Sequence, residues 1–74
     1  SNMKLKINGE IKTIGNSNEE CQLEDLLELI GYKPQLVVVE LNGLIINPKD
    51  WESTKIKNGD CLEVVTIVGG GSYS

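Results

Sequence analysis

Apolar and polar positions alternate at the start of the chain. Leu5 and Ile7 fall on one side, Lys4 and Lys6 on the other, which is the period-two pattern of a half-buried strand from Met3 to Ile7. Asn8-Gly9 is a strong hairpin signal, and Glu10 to Ile14 reads as the returning strand. A two-residue loop would set Ile7 against Glu10 and Leu5 against Lys12, mixing the faces. Pairing Ile7 with Ile11 keeps them separate and needs a three-residue loop or a bulge. That second register is the expected one, because register follows the buried face. Gly15 to Asn18 is polar and loop-like.

From Glu19 to Gly31 the period lengthens. Leu23, Leu26, Leu27 and Ile30 recur at i, i+3, i+4 and i+7, a single helical stripe. Glu24, Asp25 and Glu28 lie off that stripe. They read either as a solvated face or as a contact for a basic partner, and the early acids suit a helix N-terminus. Gly31 is suited to cap the helix, and Pro34 blocks its continuation. Leu36 to Leu41 (LVVVEL) is apolar and rich in β-branched residues, as expected of a central strand. Asn42-Gly43 is a second hairpin signal, with Leu44 to Ile46 returning. Asn47-Pro48 opens a short turn carrying Lys49, Asp50 and Trp51, and Trp51 is expected to anchor a satellite of the core. Lys57-Asn58-Gly59-Asp60 is a third turn, before a last strand from Cys61 to Val68.

The order is strand, strand, helix, strand, short strand, strand. One helical stripe then covers one face of one mixed sheet. If the first and last strands pair in parallel, the class is α+β: a ubiquitin-like β-grasp, with a four- to five-stranded mixed sheet packed on one main helix. The expected core is Leu5, Ile7, Leu23, Leu26, Leu27, Ile30, Val39, Leu41, Leu62 and Val64. Alternation in the last strand sends Glu63, Val65 and Ile67 to the opposite face. Val65 and Ile67 are therefore candidates for a partner-docking patch. One domain is expected over residues 3–68. Ser1-Asn2 reads as an expression scar before a native start at Met3.

Composition narrows the chemistry. The 74 residues contain no His and no Arg, and eleven acids against seven lysines leave a net charge of −4. No imidazole is present for general base work near neutral pH, and no guanidinium fork for phosphate. No nucleophile or acid–base constellation stands out, so an enzyme is not expected. An acidic chain with scattered lysines argues against nucleic acid. Cys21 and Cys61 lack metal-ligand spacing and read as buried structural thiols, although a disulfide is not ruled out. No apolar run approaches a membrane span, and no secretory leader is evident. The expectation is a cytoplasmic carrier or binding protein with no bound cofactor and no metal.

The most informative segment is Gly69-Gly70-Gly71, which directly follows the last strand. Three glycines add backbone entropy and no packing, so they read as a flexible arm leaving the fold, with residues 69–74 as its extent. An arm without side chains can thread into a partner's active site. The same arm would serve a carrier or a ubiquitin-like protein modifier or interaction module equally well.

Together these residues resemble the ThiS group of thiamine-biosynthesis sulfur carriers, relatives of the molybdopterin sulfur carriers. The resemblance rests on four stretches: the strand pair Leu5 to Ile14, the helix Leu23-Glu24-Asp25-Leu26-Leu27, the block from Val39 to Trp51, and Asn58-Gly59-Asp60 with Ile67 to Gly71. The block Val39-Glu40-Leu41-Asn42-Gly43-Leu44-Ile45-Ile46-Asn47-Pro48-Lys49-Asp50-Trp51 and the terminal glycines are its most specific parts. The resemblance implies a protein that is not itself a catalyst. Its terminal glycine carboxylate is adenylated with ATP by an E1-like, ThiF-type enzyme and becomes a covalent thiocarboxylate. The sulfur comes ultimately from cysteine, through a donor such as a cysteine desulfurase, and a ThiG-type thiazole synthase consumes it. By position, Gly70-Gly71 matches the terminal pair and Gly71 would bear the sulfur. Ser72-Tyr73-Ser74 departs from that pattern. Either a C-terminal peptidase removes it, or it is a non-native tag, or the chain is not a working carrier.

Overall fold

The computed structural model describes residues 2–15 and 20–67. Strand β1 (Asn2–Ile7) and strand β2 (Glu10–Gly15) form the first hairpin. Strand β3 (Glu20–Gln22) leads into helix α1 (Leu23–Leu29). A short helical turn, Pro34–Leu36, precedes strand β4 (Val37–Leu41), which is followed by strand β5 (Leu44–Ile45). A second helical turn, Pro48–Ser53, leads to strand β6 (Lys55–Lys57) and strand β7 (Cys61–Thr66). The main sheet has five strands in the order β2-β1-β7-β4-β5, and β3 pairs with β6 in a separate ribbon. First and last strands run parallel at the centre, as expected for a β-grasp.

The first hairpin corrects the expected register. Ile7 faces Glu10, Leu5 faces Lys12 and Met3 faces Ile14, with no bulge. The two-residue turn decides the matter: Asn8 and Gly9 both have positive φ, at 52° and 84°, as the tight mirror-image turns matched to strand twist require. Mixed faces are tolerated because β2 lies at the sheet edge. Only Ile14 reaches the core there, and Ile11 points into solvent. Lys12 and Glu10 sit 3.6 Å apart as an exposed ion pair.

The helix is shorter than its pattern suggests. Gln22 precedes it without a side-chain cap, and Glu20 to Gln22 are extended instead. The Leu23 N–H is satisfied by the Thr54 carbonyl at 2.9 Å, so the β3–β6 ribbon takes the place of a cap. At the other end Gly31, with φ at 97°, allows the Tyr32 N–H to reach the Leu27 carbonyl at 2.8 Å and the Gly31 N–H to reach Glu28 at 3.1 Å.

Leu23, Leu26 and Leu27 are buried against Leu5, Ile7, Val39, Leu62 and Val64. The core also takes in Met3, Ile14, Val37, Trp51 and Ile56, whereas Ile30 and Leu41 are only partly buried at its margin. Trp51 belongs to this main core rather than to a satellite, and its Nε1 donates to the Ile46 carbonyl at 3.0 Å. Cys21 and Cys61 are free thiols and half-buried, not fully buried, because both sit at the rim. Burial, and after it the Asp25 carboxylate, pushes the Cys21 thiol above its ordinary value.

Candidate functional site: the exit of strand β7 and the open sheet face

Strand β7 is held from both sides by the two turn asparagines. On the β1 side the Asn8 N–H donates to the Leu62 carbonyl at 2.9 Å. The Asn8 side chain then continues the ladder where β1 has already turned away. Its Oδ1 accepts from the Val64 N–H at 2.7 Å, and its Nδ2 donates to the Val64 carbonyl at 3.2 Å. On the β4 side, the Asn42 N–H donates to the Cys61 carbonyl at 2.8 Å and the Asn42 Oδ1 accepts from the Cys61 N–H at 2.9 Å. Asparagine tolerates positive φ and offers both a donor and an acceptor. It thus builds the turn and clips the neighbouring strand at once. Hydropathy patterning does not reveal this role; the dipeptide Asn-Gly beside a strand end is the only sequence hint.

These clips fix the position of strand β7. After Thr66, the Ile67 N–H donates to the Leu36 carbonyl at 2.7 Å. Ile67 therefore lies beside the start of β4, at the end of a strand held in the middle of the sheet. The candidate residues Gly69, Gly70 and Gly71, and Val68 and Ser72 to Ser74 around them, lie outside the described residues.

The sheet face opposite the helix carries the other candidates. Val65 is 62% exposed and Ile67 is 44% exposed, both on the face expected for them. Val38 lies directly across from Val65, and Ile45 of the edge strand is 66% exposed on the same face. A groove of about 350 Å³ adjoins them between Val38, Ile45, Ile46 and Pro48. One step further along the same strand pair, Glu40 lies directly across from Glu63. Among the described residues, no three His, Cys, Asp or Glu side chains are grouped to hold a metal, and no helix is long and apolar enough to cross a membrane.

Comparison with known proteins agrees with this geometry. The model of the ThiS family matches residues 5–71. An uncharacterized protein, ycf40, of Pyropia yezoensis is 38% identical over 71 residues, covering 96% of each chain. A thiazole synthase of Paramagnetospirillum magneticum is 37% identical over 70 residues; the match takes in 95% of this chain but only 21% of that protein. The crystal structure of the thiamine biosynthesis protein ThiS from Geobacter metallireducens superposes with a TM-score of 0.78 at 33% identity, covering 93% of this chain and all of that one. With a family match over nearly the whole chain, a shared fold and the glycine run inside the matched span, the chain belongs to the ThiS family, the non-catalytic sulfur carriers of thiamine biosynthesis.

Proposed function

We propose that this chain carries sulfur as a thiocarboxylate on Gly71. The observation that carries the reading is the extent of the family match: it runs through all three glycines, ends at Gly71, and leaves Ser72-Tyr73-Ser74 outside. A peptidase cut after Gly71 frees the carboxylate. The carboxylate oxygen attacks the α-phosphorus of ATP on a ThiF-type enzyme, releasing pyrophosphate and forming an acyl adenylate. The terminal sulfur of a donor persulfide then attacks the carbonyl and expels AMP, and a thiol cleaves the S–S bond of the resulting acyl disulfide, leaving the thiocarboxylate while the thiol and the donor sulfur end as a disulfide. Glycine suits this step because no Cβ obstructs the carbonyl under attack.

Delivery to a ThiG-type thiazole synthase is supported by the match to about a fifth of a thiazole synthase chain, where a carrier-like segment shares one polypeptide with the rest. The apolar face around Val65 and Ile67, at the end of β7, is the docking surface for the activating enzyme.

The test compares the full chain with one ending at Gly71, each incubated with the activating enzyme, ATP and a sulfur source. Intact mass is then read for one oxygen replaced by sulfur. The shorter chain gains the sulfur and the full chain does not. Gly71→Ala in the shorter chain folds but loses most of the transfer. Equal thiocarboxylate on both chains, or none on the shorter one, overturns the assignment.

A further inference from the structure

Three Asn-Gly pairs, at Asn8, Asn42 and Asn58, each sit in a turn. Asparagine is a chemically labile residue, and a following glycine makes it more so. The glycine nitrogen attacks the asparagine Cγ. It gives up its proton as the Cγ–Nδ2 bond breaks, and ammonia leaves. Water then opens the cyclic imide at one of its two C–N bonds, giving aspartate or isoaspartate. Glycine favours the attack because it has no Cβ to crowd its nitrogen. The ring closes only if the carboxamide can swing back over its own backbone.

In the fold the three carboxamides are held differently. The Asn8 Oδ1 accepts from the Val64 N–H at 2.7 Å, and its Nδ2 donates to the Val64 carbonyl at 3.2 Å and to the Tyr32 hydroxyl at 3.3 Å. The Asn42 Oδ1 accepts from the Cys61 N–H at 2.9 Å, and its Nδ2 donates to Asp60 Oδ1 at 3.1 Å. Val64 and Cys61 belong to β7, so both carboxamides are pinned only while β7 is in place. The attacking groups are ready: among the described residues no acceptor takes the N–H of Gly9 or Gly43, and a Cβ built on either would meet nothing within 4 Å. Asn58 is held by β1 instead. Its Oδ1 accepts from the Lys4 N–H at 2.7 Å, its Nδ2 has no partner among the described residues, and the Gly59 N–H donates to the Lys4 carbonyl at 2.7 Å.

The products fit unequally too. At Asn42, a carboxylate would stand within hydrogen-bond distance of the Asp60 carboxylate, like charge against like. At Asn8, a carboxylate oxygen would face the Val64 carbonyl where an N–H now donates. The Tyr32 hydroxyl can turn its proton toward that oxygen; the carbonyl has none to give. Isoaspartate would also lengthen the backbone of a tight turn whose length sets strand register. At Asn58 the accepting oxygen stays and no donor contact is lost.

We propose that Asn8 and Asn42 are deamidation sites kept closed by docked β7, and that conversion at either one works against β7 docking again. A chain whose last strand has come away is then marked, without an enzyme, as one that has opened.

The test keeps the full chain in neutral buffer over a series of urea concentrations. Peptide maps read the amide-to-acid mass change and the aspartate and isoaspartate products at each asparagine. Conversion at Asn8 and Asn42 is at least about tenfold faster in unfolding urea than in native buffer, and both rise together along the unfolding curve read by Trp51 fluorescence. Equal rates in native buffer and in urea, or a rise at one site without the other, overturn the proposal. This comparison uses the parent chain and holds whether or not any variant folds. The consequence of conversion is read by thermal melting of variants. Asn8→Asp and Asn42→Asp melt about 5–10 °C below the parent, and Asn58→Asp within about 1 °C of it. A variant at Asn8 or Asn42 that does not fold at all is the same result in stronger form. Asn8→Asp and Asn42→Asp chains as stable as the parent, or an equal loss in Asn58→Asp, overturn the marking role.

Discussion

The two faces of the central sheet are built from the same strands and follow opposite logic. On the helix side, Leu5, Ile7, Val39, Leu62 and Val64 meet Leu23, Leu26 and Leu27 and are all but inaccessible. Every residue there is accounted for by the need to bury apolar area in a small domain. On the other side, Val38, Val65 and Ile45 are left in water, on the face that also carries Glu40, Glu63, Lys4 and Lys6. Folding does not require either feature. The contrast separates the face that makes the molecule stable from the face it leaves open, with the dividing plane running through single strands at every second residue.

That contrast can be broken most forcefully from the helix side. Leu26→Ala leaves a cavity in the packed layer and should cost about 2–5 kcal/mol, enough to unfold much of the population of a domain this size. Urea or thermal denaturation checks it; a melting temperature within a degree or two of the parent would show that α1 does not cover the sheet as described. Asn8 tests the clip that holds β7 between the two faces. Asn8→Gly keeps the turn and removes the paired contacts to Val64, so it should destabilise by roughly 1–2 kcal/mol, whereas Asn8→Ala adds positive-φ strain and should lose more. The order of the two melting temperatures is the readout. Val65→Asp sharpens the comparison from the open side: stability should change by less than about 0.5 kcal/mol, while affinity for the activating enzyme falls. Unchanged affinity in a folded Val65→Asp chain would remove the apolar patch from the docking surface.

The sequence shows the two faces unequally. The leucine stripe of α1, its end at Gly31 and the inward positions of β7 are all legible, because a period of 3.6 or 2 repeats often enough to stand out. Val65 and Ile67 follow from the same alternation. The short strands β3 and β6 are not legible: three residues hold no full pattern, and Ile56, fully buried, stands alone between Lys55 and Lys57. The register of the first hairpin is not legible from face matching, because turn geometry decides it at an edge strand where the core makes few demands. The opposition of Glu40 and Glu63 depends on how two strands distant in sequence line up, and no local window contains both. The role of Asn8 is hidden for the same reason, since its side-chain partner is Val64.

The central place of β7 also governs how the molecule comes into being. The hairpins β1–β2 and β4–β5 join near neighbours in sequence and can close early. Neither can complete the sheet, because the strand that lies between them is the last of the seven to be made. Until β7 arrives, two ribbons remain with inner edges exposed, a state prone to mispairing with other chains. A nascent chain that stops short of Thr66 has no middle to its sheet. Strand β7 thus acts as a check on translation: a chain whose five-stranded sheet is closed has been made at least as far as Thr66.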